Sequence, residues 1–233
     1  MKKRLLMGML LAVLGVMFTA CGGDSKKEEP TTKKIPNYQV VAINAGEKKV
    51  FLDEAKYYAY TAQATYETYY LTQGIELEWS EEMTNGSSWE TVVKGQVLDE
   101  ICKRECLYSL AEQYNVQLSD TEKVTLKKMV KAYEADTNVE LKDRIGIDKK
   151  RLSEIFEKDM VSKKVEEVLE AMSAEGGKNA KKNEKANSIY AEWKKNNEVM
   201  PTKDWENIKF KGHIFTKEDL TNNQVLIDET STK

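Results

Sequence analysis

One histidine and three cysteines are all that this 233-residue chain offers for nucleophilic or soft-metal chemistry. His213 has no second histidine and no cysteine spaced to work with it, so neither a Cys/His nucleophile nor a zinc site is expected. It reads as a solvated or packed strand residue. Cys102 and Cys106 stand four residues apart, on one side of the helix that carries them. A disulfide between them needs a distorted helix, and zinc needs two further ligands that the sequence does not space correctly. They are expected as small buried apolar groups, with an exported location keeping the oxidised alternative open. No cofactor and no metal are expected.

The stronger signal is aromatic. Six of the 11 tyrosines fall between Tyr57 and Tyr70, too many for one helix face to hide. Tyrosine joins apolar area to a polar rim, which suits sequence-tolerant contact with extended chains. The candidate peptide-contacting residues are Tyr58, Tyr66, Tyr69, Tyr70, Trp79 and Met83, with Trp89 beside them. Methionine adapts to irregular partners. The competing reading is that most of these rings pack against the next helix. A balance of 36 basic against 39 acidic side chains argues against a nucleic-acid partner.

Positioning these side chains takes a helical body. Over residues 53–72, Ala55, Tyr58, Ala59, Ala62, Tyr66, Tyr69 and Tyr70 recur at three- and four-residue steps, and Gly74 ends the pattern. Residues 75–86 read as a loop. Ser87 with Glu90 has the form of a capping box, opening a helix that runs through Val93, Val97 and Ile101 to Tyr114. Ser119 with Glu122 opens a third helix. Asp148 opens a fourth, with Leu152, Ile155, Phe156, Val161, Val165, Val168 and Leu169 inward and a stop at Gly176-Gly177. Residues 179–196 give a fifth.

The two ends differ from this middle. Residues 37–44 are β-prone, and residues 49–52 give a short second strand or lead directly into the helix. Residues 205–215 are β-like, and 225–227 form a weaker candidate. The expected fold is mainly α, with five helices closed by a small sheet in which the N- and C-terminal segments meet.

The first twenty residues are of another kind. Lys2, Lys3 and Arg4 precede an apolar run over residues 5–18, shorter than the roughly 20 residues of a comfortable membrane span. This is the form of a secretory signal over residues 1–20. Phe18-Thr19-Ala20-Cys21 resembles the bacterial lipobox, with Phe18 where leucine is preferred. That resemblance implies lipidation at Cys21 and anchoring to the extracytoplasmic face of the cell membrane. Without residues 1–20 the chain carries 33 basic and 39 acidic groups, so lipid rather than charge must hold it to an anionic leaflet. Residues 21–36 are almost devoid of apolar side chains and read as a flexible tether of at most about 50 Å.

The order of segments carries a second resemblance. Val41-Ala42-Ile43-Asn44 leads through a turn to Asp53-Glu54-Ala55. A long helix holds Val97-Leu98-Asp99-Glu100-Ile101, and Tyr114 to Glu122 precede Gly146-Ile147-Asp148 and an amphipathic helix. Across about residues 40–200 this is similar to the N-terminal chaperone domain of the SurA and PrsA foldases. Phe51 stands where that family usually has a capping threonine. The resemblance implies a SurA N-terminal-like helical lobe over residues 37–215, with residues 216–233 as a tail. Isomerase members of the family carry a parvulin domain after the lobe. Lys211-Gly212-His213-Ile214-Phe215 is faintly similar to its opening strand, but only eighteen residues follow. No isomerase site is carried over.

The function these readings imply is a membrane-tethered chaperone-like lipoprotein that binds unfolded exported polypeptides. Two rivals are an interaction module holding one folded partner at the cell surface and a degenerate prolyl isomerase. Clients and oligomeric state are not legible.

Overall fold

The computed structural model describes residues 35–84, 86–174 and 184–219. Cys21, residues 1–34, Gly176-Gly177 and residues 225–227 lie outside the described residues. The fold is mainly helical, with one small three-stranded antiparallel sheet in the order β2-β1-β3.

After a 3-10 turn at Asn37–Gln39, β1 (Val41–Ala45) and β2 (Lys48–Phe51) form a hairpin, with Ile43 opposite Val50 and Ala45 opposite Lys48. Ala42, Ile43, Ala45 and Val50 are fully buried. At the turn, Gly46 has φ +61°, and a Cβ there would stand 2.4 Å from the Asn197 side-chain oxygen, so glycine alone fits. The strand then runs without a break into α1 (Leu52–Thr72), so residues 49–52 serve both expected roles. Phe51 sits at the N-cap of α1 and gives no side-chain hydrogen bond. Asp53 Oδ1 instead accepts the Glu54 amide at 2.8 Å.

The second helix, α2 (Trp89–Ser109), is capped by Ser88, which accepts the Thr91 amide at 3.2 Å. The box expected from Ser87 and Glu90 does not form: the cap falls on Ser88, which puts Thr91 rather than Glu90 at the third helical position, and the Glu90 carboxylate meets the Phe210 amide and Lys209. α2 also ends short of Tyr114. The box at Ser119 and Glu122 is complete in both directions and starts α3 (Asp120–Asp136). A short helix, α4 (Val139–Ile145), follows, capped by Asn138. Asp148 Oδ1 accepts the Arg151 amide at 2.9 Å at the start of α5 (Lys149–Ala174), and α6 is Glu184–Asn196.

The C-terminal part of the sheet is not where the sequence puts it. β3 is Val199–Pro201, paired antiparallel with β1 so that Asn44 faces Met200. Residues 205–215 form no strand. Thr202 accepts the Asp204 amide and opens a single helical turn, α7 (Lys203–Glu206), that buries Trp205. Beyond it the chain is irregular, with Ile208, Phe210 and Ile214 buried. The apolar alternation there reflects a segment laid across helices, whose backbone groups bond to side chains. Lys94 donates to the carbonyls of Trp205 at 3.0 Å, Glu206 at 3.3 Å and Ile208 at 2.6 Å.

The main core joins the sheet to α1, α2 and α5 through Ile43, Val50, Ala59, Val93, Ile101, Leu152, Ile155 and Phe156. Polar side chains cross the same helices. Arg151 grips Asp53, with Nε 2.8 Å from Oδ2, and Lys158 Nζ reaches both Glu54 (2.7 Å) and Glu105. Among the described residues no helix is long and apolar enough to cross a membrane.

Candidate binding cleft

On α1 the residues Tyr57, Tyr58, Thr61, Ala62, Thr65 and Tyr66 share one face, at steps of one, three and four. On α2 Val93, Gln96, Val97, Glu100 and Arg104 do the same. The two faces bound an open cleft of about 330 Å³, completed by Asp159 of α5. Its depth has a local cause: Ala62 lies one turn from Tyr58 and one turn from Tyr66, so a methyl group separates two rings. Val93 and Val97 supply the facing apolar wall.

Hydrogen bonds tie the cleft at both ends. Tyr66 donates its hydroxyl proton to Gln96 Oε1 at 2.6 Å, bridging α1 to α2. At the other end Tyr58 donates to Asp159 Oδ1 at 2.8 Å, and the same oxygen lies 2.9 Å from Arg104 Nε. The Arg104 guanidinium also stacks over the Tyr58 ring, 4.6 Å from its centroid. Burial holds the Asp159 carboxyl above its ordinary range, against the pull of Arg104. Burial likewise raises Tyr57 and Tyr58, so both stay neutral hydroxyls across the physiological range. Between the tied ends, Thr61 Oγ1 is buried and has no hydrogen-bond partner in the described structure.

Past Glu100, Arg104 and Asp159 the cleft leads to a second hollow of about 330 Å³ between α2 and α5. That one is more polar, lined by Lys103, Leu107, Ser162, Lys163 and Glu166. Lys103 and Glu166 pair at 2.8 Å. The two hollows therefore run from an apolar end to a charged end.

The residues singled out in the sequence divide. Tyr58 and Tyr66 line the cleft, Tyr58 as a ring largely sunk in the core. Tyr69 and Tyr70 do not: with Trp89 they form a separate edge-to-face ladder, centroids 5.3 Å and 5.4 Å apart. Tyr69 is the most open of the tyrosines singled out, at 61 %. Trp79 is not a surface aromatic at all. It is buried, its ring lies 4.7 Å from that of Phe210, and its indole N–H donates to Glu67 at 2.8 Å. Met83 is half-buried in the loop before α2, where its backbone pairs with Ser87 and Gly86.

Gln96, Glu100, Arg104 and Asp159 come from α2 and α5, and in the sequence they look like ordinary helix-surface polar residues. Cys102 and Cys106 are buried and unbonded, as expected of small core groups. His213 is packed rather than in a strand. Among the described residues no cluster of three or more His, Cys, Asp or Glu is arranged to hold a metal ion. No protein-family model, no curated protein and no solved structure matches this chain.

Proposed function

We propose that this chain is a SurA/PrsA-like, lipid-anchored chaperone of the extracytoplasmic membrane face, holding apolar segments of unfolded exported polypeptides without isomerase chemistry of its own. The observation that supports this most is the open α1–α2 cleft, apolar along its walls and tied by hydroxyl and carboxylate groups at its rims. Burying one large apolar side chain there is worth about 1.5–3 kcal/mol before the cost of ordering the client. Such a site binds weakly and releases quickly, which is what protection of a folding chain requires. The polar rim groups can meet a client backbone whatever its sequence.

The test is the full chain, purified in detergent, mixed with an aggregating unfolded client. The native chain is expected to delay light scattering at stoichiometric amounts, and Ala62→Trp, which fills the cleft, to remove most of the delay. Equal protection by the two would sink the reading. Lipidation is tested separately: labelled palmitate is expected on the native chain and absent from Cys21→Ala. A second reading, capture of one folded partner, draws on the Tyr69–Tyr70–Trp89 ladder, which lies outside the cleft with Ile75 exposed near it in sequence.

A further inference from the structure

Five residues of α2 make a continuous stripe. Val93, Val97, Glu100, Arg104 and Leu107 follow one another at steps of four, three, four and three, the spacing that keeps side chains on one helix face. Val93 and Val97 line the apolar hollow against α1, Leu107 lines the charged hollow against α5, and Glu100 and Arg104 line both. The hollows therefore share a wall and meet at these two side chains. At 1.5 Å per residue the stripe is about 21 Å long, enough for an extended segment of about six residues. Glu100 stands at its middle.

Most polar groups at the junction are already committed. Arg104 is bonded to Asp159 and stacked on Tyr58. Ser162 donates to the Arg104 carbonyl at 3.1 Å. Lys103 is paired with Glu166, and Gln96 accepts the Tyr66 hydroxyl. Glu100 is exposed and has no hydrogen-bond or ion-pair partner among the described residues. Lys163, also exposed and without a partner there, lines only the charged hollow, from the α5 side. Where a bound chain leaves the apolar hollow, the uncommitted charge it meets is thus the carboxylate of Glu100.

An exposed glutamate on a helix is ordinarily a solvated group. This one borders an apolar wall on the side of Val97, which suits lysine and arginine in particular. Their methylene stems can lie along the wall while the cationic head meets the carboxylate. A glutamate or aspartate in the same place is opposed by like charge, and a neutral polar residue gains nothing from it.

We propose that Glu100 is a specificity-determining residue of the cleft. The preferred occupant is an extended segment whose large apolar side chain sits over Ala62, between Tyr58 and Tyr66. Within about three residues of it, a lysine or arginine pairs with Glu100. This rests on the reading of the cleft as a peptide site and names the segments that site prefers.

The test is fluorescence anisotropy on the full chain in neutral detergent at low ionic strength. The probes are three labelled peptides in a Gly-Ser frame, each with one Leu-Phe pair flanked three residues away on both sides by Lys, Gln or Glu. The Lys peptide is expected to bind about fourfold more tightly than the Gln peptide, the upper range for a solvent-exposed ion pair, and the Glu peptide to bind most weakly. Glu100→Gln is expected to erase this order while holding the Gln peptide as the native chain does. Glu100→Lys is expected to reverse it. Glu157→Gln, which removes an exposed α5 carboxylate lining neither hollow, should keep the native order. A Lys preference that survives in Glu100→Gln, or that Glu157→Gln removes equally, would overturn the proposal, as would equal binding of the three peptides by the native chain. That last result, with Ala62→Trp releasing all three, leaves the cleft a peptide site without this selectivity. Binding that Ala62→Trp does not weaken, or no binding at all, overturns both readings together.

Discussion

Lys158 of α5 donates to Glu54 of α1 across 2.7 Å, and its ammonium is shared with Glu105 of α2. One cation thus joins three helices at a point where both carboxylates are at most 5 % exposed. Burial works against the ammonium, yet the two carboxylates hold its pKa above the ordinary lysine value. Lys158→Met removes the cation and strands two buried carboxylates. A loss of about 3–5 kcal/mol is expected in urea unfolding, the usual scale for breaking a buried pair from one side. A loss under about 1 kcal/mol would contradict this account of the junction.

The pH dependence of stability follows from the same region. Burial raises Glu54 above its ordinary 4.5 despite Lys158, and Asp159 above 3.8 despite Arg104. A carboxyl raised in the folded state binds its proton more tightly there than in the unfolded chain. Its contribution is therefore complete below the ordinary value and fades as pH rises through the folded value. The urea midpoint is expected to fall as pH rises from about 4.5, and Glu54→Gln with Asp159→Asn to flatten that fall. Glu122 works in the other window. Lys164 and the Ser119 cap hold it down to about 2, so its contribution is present above 4.5 and lost as pH drops toward 2.

Burial also governs the thiols. It pushes Cys102 up to about 12, with Asp99 and Glu105 adding to the effect, and Cys106 up to about 11. Neither is expected to react with a disulfide reagent at about pH 8 while the chain is folded, and both should react at once in denaturant. Fast reaction of either native thiol would show that α2 opens locally.

Lys94 is a structural cation of a different type. Its three acceptors are the Trp205, Glu206 and Ile208 carbonyls, and burial lowers its pKa. Lys94→Ala takes the ammonium from all three carbonyls, of which Trp205 keeps the Ile208 amide, with an expected cost of about 1–3 kcal/mol in thermal or urea unfolding. The loosened α7 region should show first in hydrogen exchange.

What the sequence reveals and what it hides follow from distance along the chain. The capping box at Ser119, the Asp148 cap, the inward face of α5 and the β-prone run that becomes β1 are local patterns, and all are present. The segment from Trp205 to Phe215 misleads because its alternation resembles a strand, while its hydrogen-bond partners (Glu67, Glu90 and Lys94 among them) lie over a hundred residues away. Helical spacing points equally to Tyr58, Tyr66, Tyr69 and Tyr70, of which only the first two line the cleft. It cannot reveal that Asp159 sits against Tyr58, or that Glu67 supplies the acceptor that takes Trp79 inside. Helix α4, only seven residues long, is too short for periodicity to announce.

The sheet has a mechanical consequence. β1 is its middle strand, laced on one side to β2 and on the other to β3. Tension on the residues ahead of Val41 is therefore divided between two ladders instead of peeling away an outer strand. Because β3 belongs to the far end of the chain, that tension passes directly between segments some 155 residues apart in sequence, bypassing much of the helical body.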